Sequence, residues 1–241
     1  MGVISPVGND VNTFWSNLCD GVCGIDYIKS FPTDNLPVGI AGIIKDFKAE
    51  EYGMDKPFIR KQDLFTQYGV AAAYQAMRQS GLSSKGEDKN IDPFRLGVYF
   101  GSGIGGFATQ YREISKMIED PSGQWISPLF IPTMISNIAA GHIAILHNAQ
   151  GPCLDIVTAC ATSTNAMGEA FRAIRNGYAD AIITGGCENA TIPIGIVGFA
   201  NAKALSRATD PNYASLPFNG NRAGFVMADG SAALVLEEYE H

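Results

Sequence analysis

Cys160 is the residue of this chain best placed to do covalent chemistry. It stands in the run Leu154-Asp155-Ile156-Val157-Thr158-Ala159-Cys160-Ala161-Thr162-Ser163-Thr164-Asn165-Ala166. A short β-rich apolar run stops at the cysteine, and a stretch of helical character dense in small residues follows. That passage puts a thiol at a strand tip and a helix start, where unpaired backbone N–H groups and the dipole favour a thiolate. A thiolate is a nucleophile that can carry an acyl group. A small buried thiol would also account for a cysteine. Against that, the carboxyl end of a strand is where α/β proteins place their sites, and the small residues that follow let a substrate approach the backbone.

Three further groups are candidates. Gly101-Ser102-Gly103-Ile104-Gly105-Gly106 follows a predicted strand, precedes a predicted helix and fits the G-x-G-x-x-G spacing of a dinucleotide site. No acidic residue ends a second strand about 20 positions on, as that fingerprint requires. The other reading is a tight turn that presents Ile104 as an apolar plug. Lys56, Arg60 and Lys61 form a basic cluster that one helix start can display together. Taken alone, such a run faces water; its functional reading is a patch for an anionic partner. His142 and His147 lie in or near an apolar helix without a metal partner at suitable spacing, so both read as structural.

The elements that must position these residues follow from the pattern. Residues 1–10 read as a loop, residues 11–19 as a short helix, and Val38–Ile44 as a short strand. The spacing of Leu64, Phe65, Tyr68, Ala72 and Ala76 predicts one long helix over Phe58–Ser80, stopped by Gly81. Strands are expected at Leu96–Phe100, Leu154–Thr158 and Ala181–Thr184, the last turned by Gly185-Gly186. Helices are expected at Ala108–Glu119, Ile135–Leu146, Asn165–Arg175 and within Asn189–Leu205. Gly224–Ala228 and Ala232–Glu238 read as a closing hairpin. Strands alternate with helices, which predicts an α/β fold with a mostly parallel sheet.

Composition narrows the function classes. The 241 residues are 46% hydrophobic, enough for one large core or two small domains. A net charge of −7 argues against general nucleic-acid binding. No run of about 18 apolar residues suggests a membrane span, and no signal peptide is evident, so a cytoplasmic location is expected. The five cysteines, Cys19, Cys23, Cys153, Cys160 and Cys187, form an odd set that reads as reduced thiols. Cys19 and Cys23 are spaced to share a helix face but lack two further metal ligands. No metal and no cofactor is expected.

Thr158-Ala159-Cys160-Ala161, the Gly101–Gly106 turn and Gly185-Gly186-Cys187-Glu188 form a set. With them stand the run from Gly198 through Phe199 to Ser206 and the tail Leu234–His241. Together they resemble the β-ketoacyl-[acyl-carrier-protein] synthases, most closely the type II condensing enzymes of bacterial fatty-acid synthesis. The resemblance covers nearly the whole chain. It implies a thiolase-like fold, a layered, mixed and mostly parallel sheet with helices on both faces. Residues 1–241 match the amino-terminal of two similar halves, so the chain is expected to be a fragment lacking the first strand and the carboxyl-terminal half.

The resemblance also implies roles. Cys160 maps onto the nucleophile that takes an acyl group from the phosphopantetheine of an acyl carrier protein. Malonyl-carrier protein is then decarboxylated, and its carbanion attacks the thioester. The Cys160 N–H would supply one oxyanion donor. Ile104, Phe130 and Phe199 map onto the acyl pocket and its gate. Lys56, Arg60 and Lys61 fall where the family docks its acidic carrier protein. The full-length enzyme is expected to be a homodimer, and the family's catalytic histidines and lysine are expected beyond His241. Asn219, Ala223 and Ala228 depart from the usual residues of a loop beside the site. Competing readings are a polyketide-type ketosynthase, a thiolase-like coenzyme-A enzyme, and a catalytically silent partner subunit; the last class lacks the cysteine.

Overall fold

The computed structural model describes residues 1–241. In chain order the elements are β1 (Gly2–Ile4), α1 (Val11–Cys19), β2 (Asp26–Tyr27), β3 (Ile40–Ala41) and α2 (Lys56–Lys61). Next come α3 (Leu64–Ser80), β4 (Leu96–Gly101), α4 (Phe107–Glu119), α5 (Phe130–Met134), α6 (Ile138–His147) and β5 (Cys153–Leu154). The last are α7 (Thr162–Arg175), β6 (Ala181–Glu188), α8 (Pro193–Asn201) and β7 (Gly230–Glu237). They fall into two compact units.

The larger unit comprises residues 1–4, 48–188 and 230–241. Its sheet has the order β1-β7-β6-β4-β5. β4 runs parallel to β5 and to β6, while β7 runs antiparallel to β6 and to β1. β4 and β6 are apolar nearly throughout and buried along their length, as expected of strands covered on both faces. Side chains alternate between those faces. On one side Gly69 of α3 brings that helix to Cys187 and Phe100. On the other, Ser163 of α7 lies over Gly186, and Tyr99, Ile182, Ala170 and Ala173 form a common core.

Several boundaries differ from the sequence reading. The loop expected at residues 1–10 begins with β1, which pairs Gly2–Ile4 with Ser231–Ala233. The helix expected over 58–80 is two helices. Asp63 breaks it by capping α3, accepting the Phe65 N–H at 3.4 Å. Of the run Leu154–Thr158 only Leu154 is ladder-paired, in the two-residue edge strand β5. Gly185-Gly186 does not turn the chain; both stay in register within β6. A Cβ on Gly185 would collide with the Ala232 carbonyl, and one on Gly186 with the Ser163 hydroxyl. These glycines thin the strand where its neighbours press closest. The apolar segment 135–146 forms α6 from Ile138 onward, preceded by the unforeseen short helix α5.

The smaller unit comprises residues 5–47 and 189–229. Asp10 caps α1, accepting the N–H groups of Asn12 and Thr13 at 2.9 Å each. α1 ends at Cys19, so Cys23 does not share a helix with it. The strand expected at 38–44 is reduced to β3, paired with β2. Asp229 is buried and gathers the N–H groups of Ala190 and Thr191 at 3.0 Å each and the Asn189 amide at 2.9 Å. Burial pushes its carboxyl above the usual range. The hairpin expected from 224–228 is not formed. Phe225 bridges to Leu205 and Ala228 to Gly42, while β7 takes β6 and β1 as partners.

Candidate active site

Cys160 occupies the middle of a single 3-10 turn, Ala159–Ala161, that runs directly into α7 at Thr162. The thiol is free and exposed. Its predecessor Ala159 has φ of +51°, the left-handed region that a residue with a Cβ enters at a cost of about 1–2 kcal/mol. The chain thus leaves the edge strand, makes a strained bend at Ala159, and offers Cys160 at the foot of a helix. Strain of this kind is held only where the surroundings over-determine it.

Those surroundings are visible. The Thr158 N–H donates to the Thr162 hydroxyl at 2.9 Å, and the Asn165 amide donates to the Thr158 hydroxyl at 2.7 Å. The Ala161 N–H closes the turn on the Thr158 carbonyl at 3.1 Å. Thr162 and Asn165 therefore brace the bend from within α7 by holding Thr158. Gly101 completes the fit: a Cβ there would collide with the Ile156 carbonyl and the Thr162 methyl. Sequence reading found the cysteine and the helix but missed the brace. The Thr-x-x-x-Thr spacing was its available signal; the left-handed Ala159 had none.

The glycine turn lies beside this bend, with a Cβ on Gly103 falling 3.7 Å from the Ala159 carbonyl oxygen. Its three later glycine N–H groups are occupied. Gly103 donates to Glu188 Oε2 at 2.8 Å, Gly105 to the Ser102 hydroxyl at 2.8 Å, and Gly106 to the Met134 carbonyl at 2.9 Å. Ser102 Oγ donates in turn to Glu188 Oε1 at 2.9 Å. A turn whose amides are bound to a carboxylate and to neighbouring backbone is not a cradle for a pyrophosphate. Its product is the placement of Ile104, which stands 38% exposed at the tip. Asp155 supports the same region. It is half-buried and accepts the Ser136 hydroxyl at 2.6 Å, and burial raises its carboxyl above the usual range. Neither carboxylate was given a role from sequence.

Phe130 begins α5 and is half-buried in the larger unit. Phe199 belongs to the smaller unit, on α8, and meets Phe225 edge to face at 5.5 Å between ring centroids. Lys56 opens α2, and Arg60 and Lys61 close it; all three are exposed and none forms an ion pair. The histidines are engaged elsewhere. His142 packs edge to face on Phe58 at 4.8 Å. Burial, then the charge of Lys85, lowers His147 to about 4. His241 contacts Glu237 at 2.7 Å.

An exposed cysteine at a helix start, set on an α/β sheet, is a placement in which a thiol can act as a nucleophile. The model for the family "Beta-ketoacyl synthase, N-terminal domain" matches residues 1–241, and the chain belongs to that family. It is 44% identical over 242 residues to a 3-oxoacyl-[acyl-carrier-protein] synthase 2 of Vibrio cholerae, covering all of this chain and 57% of that protein. It is 42% identical over 240 residues to the protein of the same name from Staphylococcus aureus, with 56% of that protein covered. The chain thus spans little more than half the length of these curated relatives. Among solved structures, a β-ketoacyl synthase from Burkholderia phymatum superposes with a TM-score of 0.84 at 24% identity, covering 100% of this chain and 58% of that one, a likeness of fold. A type II PKS acyl-carrier protein in complex with its ketosynthase bound to the hexaketide gives 0.85 at 28% identity, covering 100% and 57%.

Proposed function

We propose that this chain is the cysteine-bearing part of a β-ketoacyl-acyl-carrier-protein synthase that elongates fatty acids. The observation that carries the reading is Cys160 itself, exposed in a braced 3-10 turn at the start of α7. In the first half-reaction the Cys160 thiolate attacks the carbonyl carbon of an acyl thioester. The tetrahedral oxyanion is met by the Cys160 N–H at the helix start. Collapse expels the phosphopantetheine thiolate of the carrier and leaves the acyl group on Cys160. Ile104, Phe130 and Phe199 line the path of the acyl tail in this reading, and Lys56, Arg60 and Lys61 receive the carrier. No cofactor is required, because the substrate arrives already activated.

Decarboxylation of malonyl-carrier protein and attack of its carbanion on the acyl-cysteine need further acid-base groups. The three histidines here are committed to packing or to Glu237, so we place those steps in the remaining length that the relatives possess. The working enzyme in this reading is a cytoplasmic homodimer. Exposed Tyr111, Ile114, Met117 and Ile118 on α4 supply apolar surface for a partner. The test is mass spectrometry after incubation with an acyl-thioester donor. A single acyl adduct on Cys160, absent in Cys160→Ala and blocked by a cerulenin-type epoxide, supports the reading. Acylation that leaves Cys160 unmodified sinks it.

A further inference from the structure

The larger unit carries a charged pocket separate from the cysteine turn, where α2, α3, α4 and α5 converge. It is open, about 220 Å³ in volume, and Arg60, Lys61 and Arg112 stand on its wall. Asp63 is the one acid there, and its oxygens are engaged. One accepts the Phe65 N–H at 3.4 Å, and the other accepts the Thr109 N–H at 2.9 Å and hydroxyl at 2.6 Å. Arg60 and Lys61 have no acidic partner. The wall is therefore locally cationic on a chain whose net charge is −7. A wall of this charge favours a group that brings negative charge.

Arg112 differs from the other two cations because it is held from behind. The Glu113 side chain is 1% exposed, yet it is ionised and satisfied. Its Oε1 accepts Arg112 Nε at 3.0 Å and Lys116 Nζ at 2.9 Å; its Oε2 accepts Lys116 Nζ and the Ser127 N–H, each at 3.0 Å. One terminal nitrogen of Arg112 reaches the Thr109 hydroxyl at 3.4 Å. The Nε contact fixes the plane of the guanidinium while the side chain stays 56% exposed. A planar fork held in this way keeps terminal N–H groups available and loses little freedom on meeting a carboxylate.

We infer that this pocket seats a carboxylate from the surface of an acidic partner protein, with Arg112 as the pre-oriented donor and Glu113 as the residue that positions it. Arg60 and Lys61 close on the same group from α2. The inference rests on the carrier-protein reading above and extends the docking face from α2 onto α4. A side-chain carboxylate suits a fork better than a diffuse charge does, which makes Arg112 more than a third member of a cluster.

The test is fluorescence anisotropy of a labelled, acidic acyl carrier protein titrated with this chain. Arg112→Gln, Arg112→Lys and the pair Arg60→Gln/Lys61→Gln are compared with Arg175→Gln, an exposed arginine on α7, and all are checked for folding by circular dichroism. Arg112→Gln should weaken binding about tenfold and flatten its salt dependence, Arg112→Lys should recover only part, and Arg175→Gln should change nothing. Glu113→Gln should weaken binding in the parent but have no added effect on top of Arg112→Gln, a non-additivity that general destabilisation would not produce. Parent-like affinity for Arg112→Gln, with weakening by the α2 pair, overturns this inference and leaves the carrier reading intact. Absence of carrier binding by the parent overturns both. Displacement of the carrier by inorganic phosphate would make the pocket a small-anion site and also overturn it.

Discussion

Glu188, the last residue of β6, accepts the Gly103 N–H at 2.8 Å and thereby ties the end of one strand to the turn that follows another. The same carboxylate accepts the Ser102 hydroxyl at 2.9 Å. Because Gly103 lies against Ala159, this pairing sets the spacing between the Ile104 turn and the cysteine bend. Replacing Glu188 by alanine leaves two donors, the Gly103 N–H and the Ser102 hydroxyl, without their acceptor. The expected outcome is a loss of about 1–3 kcal/mol in urea unfolding. Acylation of Cys160 should slow beyond what the unfolded fraction explains. Unchanged acylation kinetics would show that the turn holds its place without the carboxylate.

Ala159 gives a prediction of opposite sign. Its left-handed backbone is strained for alanine and natural for glycine. Ala159→Gly should raise stability by about 1 kcal/mol, and Ala159→Val should lower it by more. Thermal unfolding of the three proteins checks the order. A glycine variant less stable than the parent would show that the bend is not stored strain.

Two glycines separate space from conformation. Gly101→Ala drives a methyl into the Ile156 carbonyl and the Thr162 methyl, and should cost about 3 kcal/mol or more. Gly168 lies within α7, where a Cβ would meet nothing within 4 Å. Gly168→Ala should therefore stabilise by about 0.5–1 kcal/mol. Denaturant midpoints of the pair decide whether the wall beside Cys160 is as close as described.

His147 makes stability depend on pH. Folded, it titrates at about 4, against 6.5 for the ordinary group, and its Nε2 has no hydrogen-bond partner. Between those values the unfolded chain binds a proton that the folded chain refuses. Stability should therefore fall as pH drops from 6.5 toward 4, by up to about 3 kcal/mol from this residue. Glu113 acts in the next window. Burial pushes its carboxyl up, but Ser127, Lys116 and Arg112 outweigh that and hold it at about 2. Its contribution is present above 4.5 and is lost as pH falls toward 2. His147→Gln should flatten the first slope and leave the second, as read by urea unfolding at several pH values.

Sequence and structure agree best where one residue decides the local outcome. Gly81 marks a helix end in both, and Cys160 falls at the start of a helix in both. They diverge where a distant partner decides. Gly185-Gly186 resembles a turn in one dimension, but Ala232 and Ser163, far along the chain, make glycine the residue that fits within β6. Residues 1–4 lack a strand's length, yet β7 recruits them. The site splits the same way. The helix-start position of Cys160 and the glycine turn that carries Ile104 were legible, whereas Glu188, Asp155 and Arg112 acquire meaning only from what the fold brings beside them.

The pairing of β1 with β7 imposes an order on biosynthesis. Gly2–Ile4 has its strand partner in Ser231–Ala233. During translation Gly2–Ile4 must wait, unpaired with β7, until Ser231–Ala233 have been made. Until then β6 shows an open, apolar edge of the kind that invites mispairing. The β1–β7 registry joins residues about as far apart in sequence as any in this sheet, so its closure carries a larger loop-entropy cost than the β4–β5 pairing does.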